Sequence, residues 1–123
     1  MRSAELLALG VDGPLSDRLA AWSHDHGLWY RPLQNASALT NLLRKGSRGL
    51  LLVRVGRDLV GELETLRDAS HEFPELIRIA FGDLDQPLLE GLAYELGANV
   101  TIFPPSGVDE LFEALILYAS ARD

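Results

Sequence analysis

Asp12, Asp58, Asp83 and Asp85 each follow closely on a short apolar run. Carboxylates are hard oxygen ligands, and several gathered at one rim could hold a magnesium ion. The plainer reading is preferred: aspartate is common in turns and at helix starts, where its side chain bonds nearby backbone N–H groups. The histidines offer less. His24 and His26, in "SHDHG", stand two apart, so a helix would not place them on one face. A solvated helix end, where imidazole meets the negative end of the dipole, suits them better. His71 stands alone in an expected loop. The turn "GVDGP" at 10–14 lacks the further glycine, lysine and hydroxyl of a phosphate cradle, and no serine sits in a G-x-S-x-G elbow.

Arg54 is the residue hardest to place. It stands near the end of "GLLLVRV" (49–55), a run otherwise apolar enough for a strand buried on both faces. Its guanidinium either finds a carboxylate or reaches solvent with its stem packed.

The chain behind these residues has 123 of them, 47% hydrophobic and 24% charged, which suits one domain spanning 1–123 with a sizeable core. The net charge of -7 produces a field that repels phosphate, so neither nucleic acid nor an anionic membrane is expected as a partner. With no cysteine there are no disulfides or thiolate metal sites. The opening "MRSAELLALG" is too short for a signal peptide. Residues 111–121 are interrupted by Glu113 and fall short of the roughly 20 apolar residues that span a bilayer. A cytoplasmic protein is expected.

Five strand-length apolar runs recur, at 4–9, 28–32, 49–55, 76–81 and 99–103. Between and after them apolar residues repeat three and four apart, as helices require: Leu15, Leu19 and Trp22; Leu39, Leu42 and Leu43; Leu59, Leu63 and Leu66; Leu88, Leu89, Leu92, Ala93 and Leu96; Val108, Leu111, Phe112, Leu115 and Ile116. Pro14 and Pro87 suit first helical turns, and Gly27, Gly46 and Gly97 suit helix ends. The segment 69–75, "ASHEFPE", is expected to be the longest loop. Strand and helix alternate five times, which demands an α/β fold: a three-layer, flavodoxin-like, doubly wound five-stranded parallel sheet of order 2-1-3-4-5, with helices on both faces. Ligands of such sheets bind beyond the carboxyl ends of the strands.

Two stretches, "ELLALGVDGPLSDRLAAWSHDHG" and "LLEGLAYELGANVTIFPPSGVDELFEALI", give the chain a likeness to a known family. It resembles the receiver domain of bacterial two-component response regulators over almost its whole length. The resemblance implies a phosphoryl-accepting Asp at the end of strand three, an acidic pair after strand one for magnesium, a hydroxyl residue at the end of strand four and a Lys at the end of strand five. Carried across, these positions fall on Arg54, on Val11 and Asp12, near Ala80, and on Phe103. Only Asp12 keeps its chemistry. No Asp or Glu occurs in 47–57, no Ser or Thr in 71–100, and the one lysine is Lys45. The chain is thus read as a degenerate, or pseudo-, receiver unable to take a phosphoryl group on the usual Asp and with no cofactor.

On this reading a guanidinium at Arg54 could pair with Asp12 and supply the charge that magnesium brings elsewhere. The resemblance also implies a cis peptide between Phe103 and Pro104, and a partner face on the fourth and fifth helices including Leu92, Tyr94, Glu95, Tyr118 and Arg122. Trp29 and Tyr30, on the expected edge strand, are a second candidate face, with core packing and edge protection as the plainer account. The expected function is a stand-alone protein-interaction or regulatory signalling module, its partner another protein, with a homodimer as a further candidate. The alternative is a small-ligand or divalent-metal protein using the acidic rim.

Overall fold

The computed structural model describes residues 4–46 and 48–121. Its five parallel strands are β1 (Glu5–Leu9), β2 (Trp29–Leu33), β3 (Gly49–Val55), β4 (Ile77–Gly82) and β5 (Val100–Ile102), in the order β2-β1-β3-β4-β5. The helices are α1 (Gly13–Asp25), α2 (Ala36–Arg44), α3 (Leu59–Glu72), α4 (Pro87–Leu96) and α5 (Val108–Ala121). The expected architecture and strand order are both present. Among the described residues no helix is long and apolar enough to cross a membrane.

Alternation along the inner strands creates two cores. Leu7 and Leu9 of β1 and Leu51, Val53 and Val55 of β3 point to the side where α2, α3 and α4 contribute Leu39, Leu43, Leu66 and Ala93. Leu6, Ala8, Leu50 and Leu52 point the other way, to Leu19 of α1 and to Leu111 and Leu115 of α5. A strand with large apolar side chains on both faces must lie inside, since each such side chain gains about 2 kcal/mol on burial. That fixes β1 and β3 at the centre. The edges differ. β5 has only three residues, and β2 exposes Trp29, Arg31 and Pro32, a charge and a proline that discourage further pairing. Tyr30 faces inward, half-buried, its hydroxyl 2.7 Å from that of Ser16 on α1.

Local chemistry starts the helices. Asn35 accepts a 2.9 Å bond from Ala38 N at the head of α2, Asp58 accepts from Gly61 N at the head of α3, and Glu110 accepts from Gly107 N at the head of α5. His26 closes α1 by stacking on Trp22 at 4.3 Å and bonding its carbonyl, while His24 is exposed.

Some boundaries differ from the expectation. α3 continues through Glu72, because Ala69 extends its buried stripe of Glu62, Thr65 and Leu66 by another turn. His71 is therefore helical, and the connection to β4 is only 73–76. β4 starts at Ile77 rather than Leu76, and β5 ends at Ile102 because Phe103 turns down into the core.

Gly49, the first residue of β3, has φ +140° and lies opposite Glu5; a Cβ there would collide with the Glu5 carbonyl oxygen. Gly49→Ala should cost on the order of 2 kcal/mol, roughly 10 °C of melting temperature, with the fold retained. A thermal melt followed by circular dichroism checks this, and an unchanged midpoint would show that β1 and β3 can separate there freely.

Candidate functional site

Arg54 follows Leu50 and Leu52 on the α1/α5 side of β3 and is paired in register with Phe81 of β4. One residue from the strand's end, its stem is packed and its head emerges at the carboxyl rim, the side chain 20% exposed. There it meets Asp83, which follows β4. Nε and a terminal nitrogen of Arg54 both reach one Asp83 oxygen, at 3.1 and 2.6 Å. Asp12 stands farther off, at 3.7 Å. The expected pairing of Arg54 with Asp12 is thus the weaker contact, and Asp83 is the principal partner.

Asp12 is held instead by Arg57, through two parallel bonds of 3.0 and 3.1 Å. This fork-to-fork geometry is the strongest that guanidinium and carboxylate adopt. Arg57 is positioned from behind. The buried Glu62 of α3 accepts from the backbone N–H of Gly56 at 2.8 Å and, more loosely, from that of Arg57, fixing the turn that delivers the side chain. Bonding to Arg57, with a smaller contribution from Arg54, holds the Asp12 carboxyl below its usual pKa, and Asp12 correspondingly raises Arg57. Four charges, Arg54 from β3 and the others from the three loops that follow β1, β3 and β4, thus form one chain: Arg57, Asp12, Arg54 and Asp83.

The other expected site residues fall elsewhere. Val11 is buried among the α1/α5 core residues. Ala80 lies inside β4, between Val53 and Thr101, with its side chain in the opposite core. The rim residue of β4 is Gly82, and the space beside it belongs to Phe103: a Cβ on Gly82 would run into the Phe103 ring. Phe103 is core rather than rim, and Pro104 is only half-exposed. The cis peptide joins Pro104 to Pro105, one residue beyond the expected place.

The rim does not fit magnesium. Of its carboxylates, Asp12 and Asp83 are engaged by arginine and Asp58 caps α3, which leaves Asp85. Among the described residues no three histidine or carboxylate side chains are grouped to hold a metal ion. The divalent-metal form of the acidic-rim reading therefore finds no ready carboxylate cluster among the described residues.

Sequence reasoning missed three residues. Arg57 was visible in "VGRD" and Glu62 lies five residues on, but nothing in their spacing announces that one turns back to bond the backbone of the other. Arg78, in "LIRIAF", is buried at the amino end of β4, where its guanidinium donates to the carbonyls of Gly97, Leu76 and Pro74. Burial lowers its pKa, and its work is to tie β4 to the end of α4. On the expected partner faces, Leu92, Tyr94, Glu95 and Trp29 are exposed and Tyr118 is half-buried; Arg122 lies outside the described residues.

With its folded pKa below the ordinary 3.8, Asp12 contributes stability that is complete above that value and is lost as pH falls through the lower folded pKa. The exposed location keeps that contribution small. In Arg57→Ala, the Asp12 carboxyl should titrate closer to its ordinary value, as followed by carbon-detected NMR. An identical titration curve in the variant would mean that the fork does not persist in solution.

No family model matches the chain, and no curated protein does. Solved structures do. The signal receiver domain of an HD domain-containing protein from Pseudomonas fluorescens Pf-5 superposes with a TM-score of 0.80 at 17% identity, covering 98% of this chain and 97% of its own. An atypical orphan response regulator, whose structure revealed a phosphorylation-independent regulatory mechanism, gives 0.76 at 13% identity, covering 94% and 92%. The receiver domain of Saccharomyces cerevisiae Ssk1, crystallised with the histidine phosphotransfer signalling protein Ypd1, gives 0.77 at 13%, covering 98% and 91%. Layers, strand order and superposition agree: the chain has the fold of response regulator receiver domains.

Proposed function

We propose that residues 1–123 act as one receiver-like unit that takes no phosphoryl group at its rim and signals by binding another protein. The observation that carries this reading is the guanidinium of Arg54 at the end of the central strand, locked to Asp83 while Arg57 locks Asp12. Phosphoryl transfer to a receiver needs a carboxylate nucleophile, with cations to neutralise it and the incoming group. Here the cations are built in and the nucleophile is missing. Asp12 and Asp83 are poor substitutes, because Asp12 has both oxygens on Arg57 and Asp83 has one doubly bonded by Arg54.

The wider rim supports the same reading. Where β4 and β5 end, Gly82 brings no side chain and Phe103 is buried beneath the rim, so neither supplies a hydroxyl or an ammonium. The positive charges that would respond to an arriving phosphoryl group are already satisfied, so the loops they join are held in one arrangement. The atypical orphan regulator of similar fold works without phosphorylation, and the Ssk1 receiver was crystallised with a signalling partner. Both fit a domain whose remaining function is recognition.

Incubated with acetyl phosphate and magnesium, the protein should gain no acid-stable or acid-labile phosphoryl adduct by intact mass, and its melting temperature should not move. A stoichiometric adduct on Asp12 or Asp83 would overturn the proposal.

A further inference from the structure

Glu62 takes a place in the buried stripe of α3, with Thr65, Leu66 and Ala69, where a carboxylate must give up water. It is 8% exposed, and its two oxygens accept from the backbone amides of Gly56 and Arg57, which leaves lone pairs on both. Among the described residues no arginine, lysine or histidine nitrogen stands within ion-pair distance of it. A buried carboxylate bonded by neutral amides alone is incompletely compensated.

Glu62 also lines a cleft of about 200 Å³ at the carboxyl rim, on the α2/α3 side, near the ends of β1 and β3 where the strand order reverses. The buried Thr65 lines it too; its hydroxyl donates to the Gly61 carbonyl at 2.8 Å and can still accept. Leu9 and Ala36 add apolar wall, while Arg57 and Asp58 bring opposite charges. The terminal nitrogens of Arg57 each donate to Asp12, and a guanidinium has further N–H groups to give. The lining is therefore dipolar. A simple anion would meet Glu62 and Asp58, a simple cation would meet Arg57, and a divalent metal would find no three carboxylates grouped among the described residues. A molecule carrying both charges satisfies both walls. The volume lies below the roughly 300 Å³ or more of pockets for drug-sized ligands, which limits the occupant to a compact metabolite.

We propose that this cleft binds a free α-amino acid, its ammonium on Glu62 and Thr65, its carboxylate on Arg57, and a small or medium side chain against Leu9 and Ala36. The two charges of an α-amino acid flank one carbon, and Glu62 and Arg57 are neighbours in the same way, joined through the Arg57 amide. The site goes beyond the protein-recognition reading and does not rest on it. The guanidinium that takes the ligand carboxylate is the one that forks to Asp12, so occupancy of the cleft is felt across the rim.

The test uses glycine, L-alanine, L-valine, L-leucine and L-glutamine as separate probes, with butylamine, butyrate and inorganic phosphate as cationic and anionic counterparts, followed by amide NMR and thermal melts. At least one amino acid should shift the Gly56, Arg57 and Gly61 amide signals saturably and raise the melting temperature. The counterparts at the same concentration should do neither. Glu62→Gln, whose amide oxygen can still hold the Gly56 N–H, should weaken binding about tenfold. Arg57→Ala should abolish the preference for the amino acid over butylamine. Ala36→Phe, which fills the cleft without touching a charged group, should abolish binding, and Arg67→Ala, exposed and paired with Asp68, should leave it unchanged. Thermal melts check that each variant is folded, and Ala36→Phe decides the matter where Glu62→Gln is not. No response to any of the amino acids, an equal response to a counterpart, or unchanged binding by Ala36→Phe would overturn the proposal.

Discussion

A guanidinium near the end of a strand packed on both faces has very little choice. Leu50, Leu52 and Val53 hold the backbone of β3 in place with no exposure, and the pleat then sets the direction in which Arg54 leaves the sheet. Its head emerges where only the loops after β1, β3 and β4 can reach it. Register with Phe81 brings Asp83, two residues later, within bonding distance. Once Arg54 takes Asp83, Asp12 would be left as an acid beside a cation already satisfied; Arg57 completes the balance. The rim is best understood as one electrostatic unit whose geometry is imposed by the core beneath it.

Much of this architecture was legible in the sequence because burial has a simple periodic signature. The doubly apolar run at 49–55 identified the central strand, and Pro14, Pro87 and the helix-ending glycines bounded the helices. The strand order followed from alternation and short connections. What failed had a different physical origin. Phe103 reads as a strand residue, yet its ring fills the space left by Gly82, a contact between residues 21 apart that no local pattern encodes. α3 ran on past Leu66 because Ala69, too small to mark a stripe by itself, is buried nonetheless.

The candidate site was less legible than the fold for a related reason. The sequence placed Asp12, Arg54 and Asp83 at one rim, since topology alone sends them there. It did not say which acid each arginine would choose. That depends on fractions of an ångström in loop geometry, and here on Glu62, a buried carboxylate whose bonds to the Gly56 and Arg57 amides fix the turn. The partner of Arg54 therefore changed from Asp12 to Asp83 while the set of charges at the rim stayed almost the same.

Two arginines in strands show how context assigns a role to the same side chain. Arg78, at the amino end of β4, satisfies backbone carbonyls and joins the end of α4 to the sheet. Arg54, at the carboxyl end of β3, satisfies carboxylates and joins loops. The first is nearly inaccessible and serves only the fold; the second is partly open to solvent and occupies the region from which doubly wound sheets act. Residues 79–121 carry seven acids and no lysine, arginine or histidine, so Asp83 meets a cation only because the register of β3 with β4 delivers Arg54 to it.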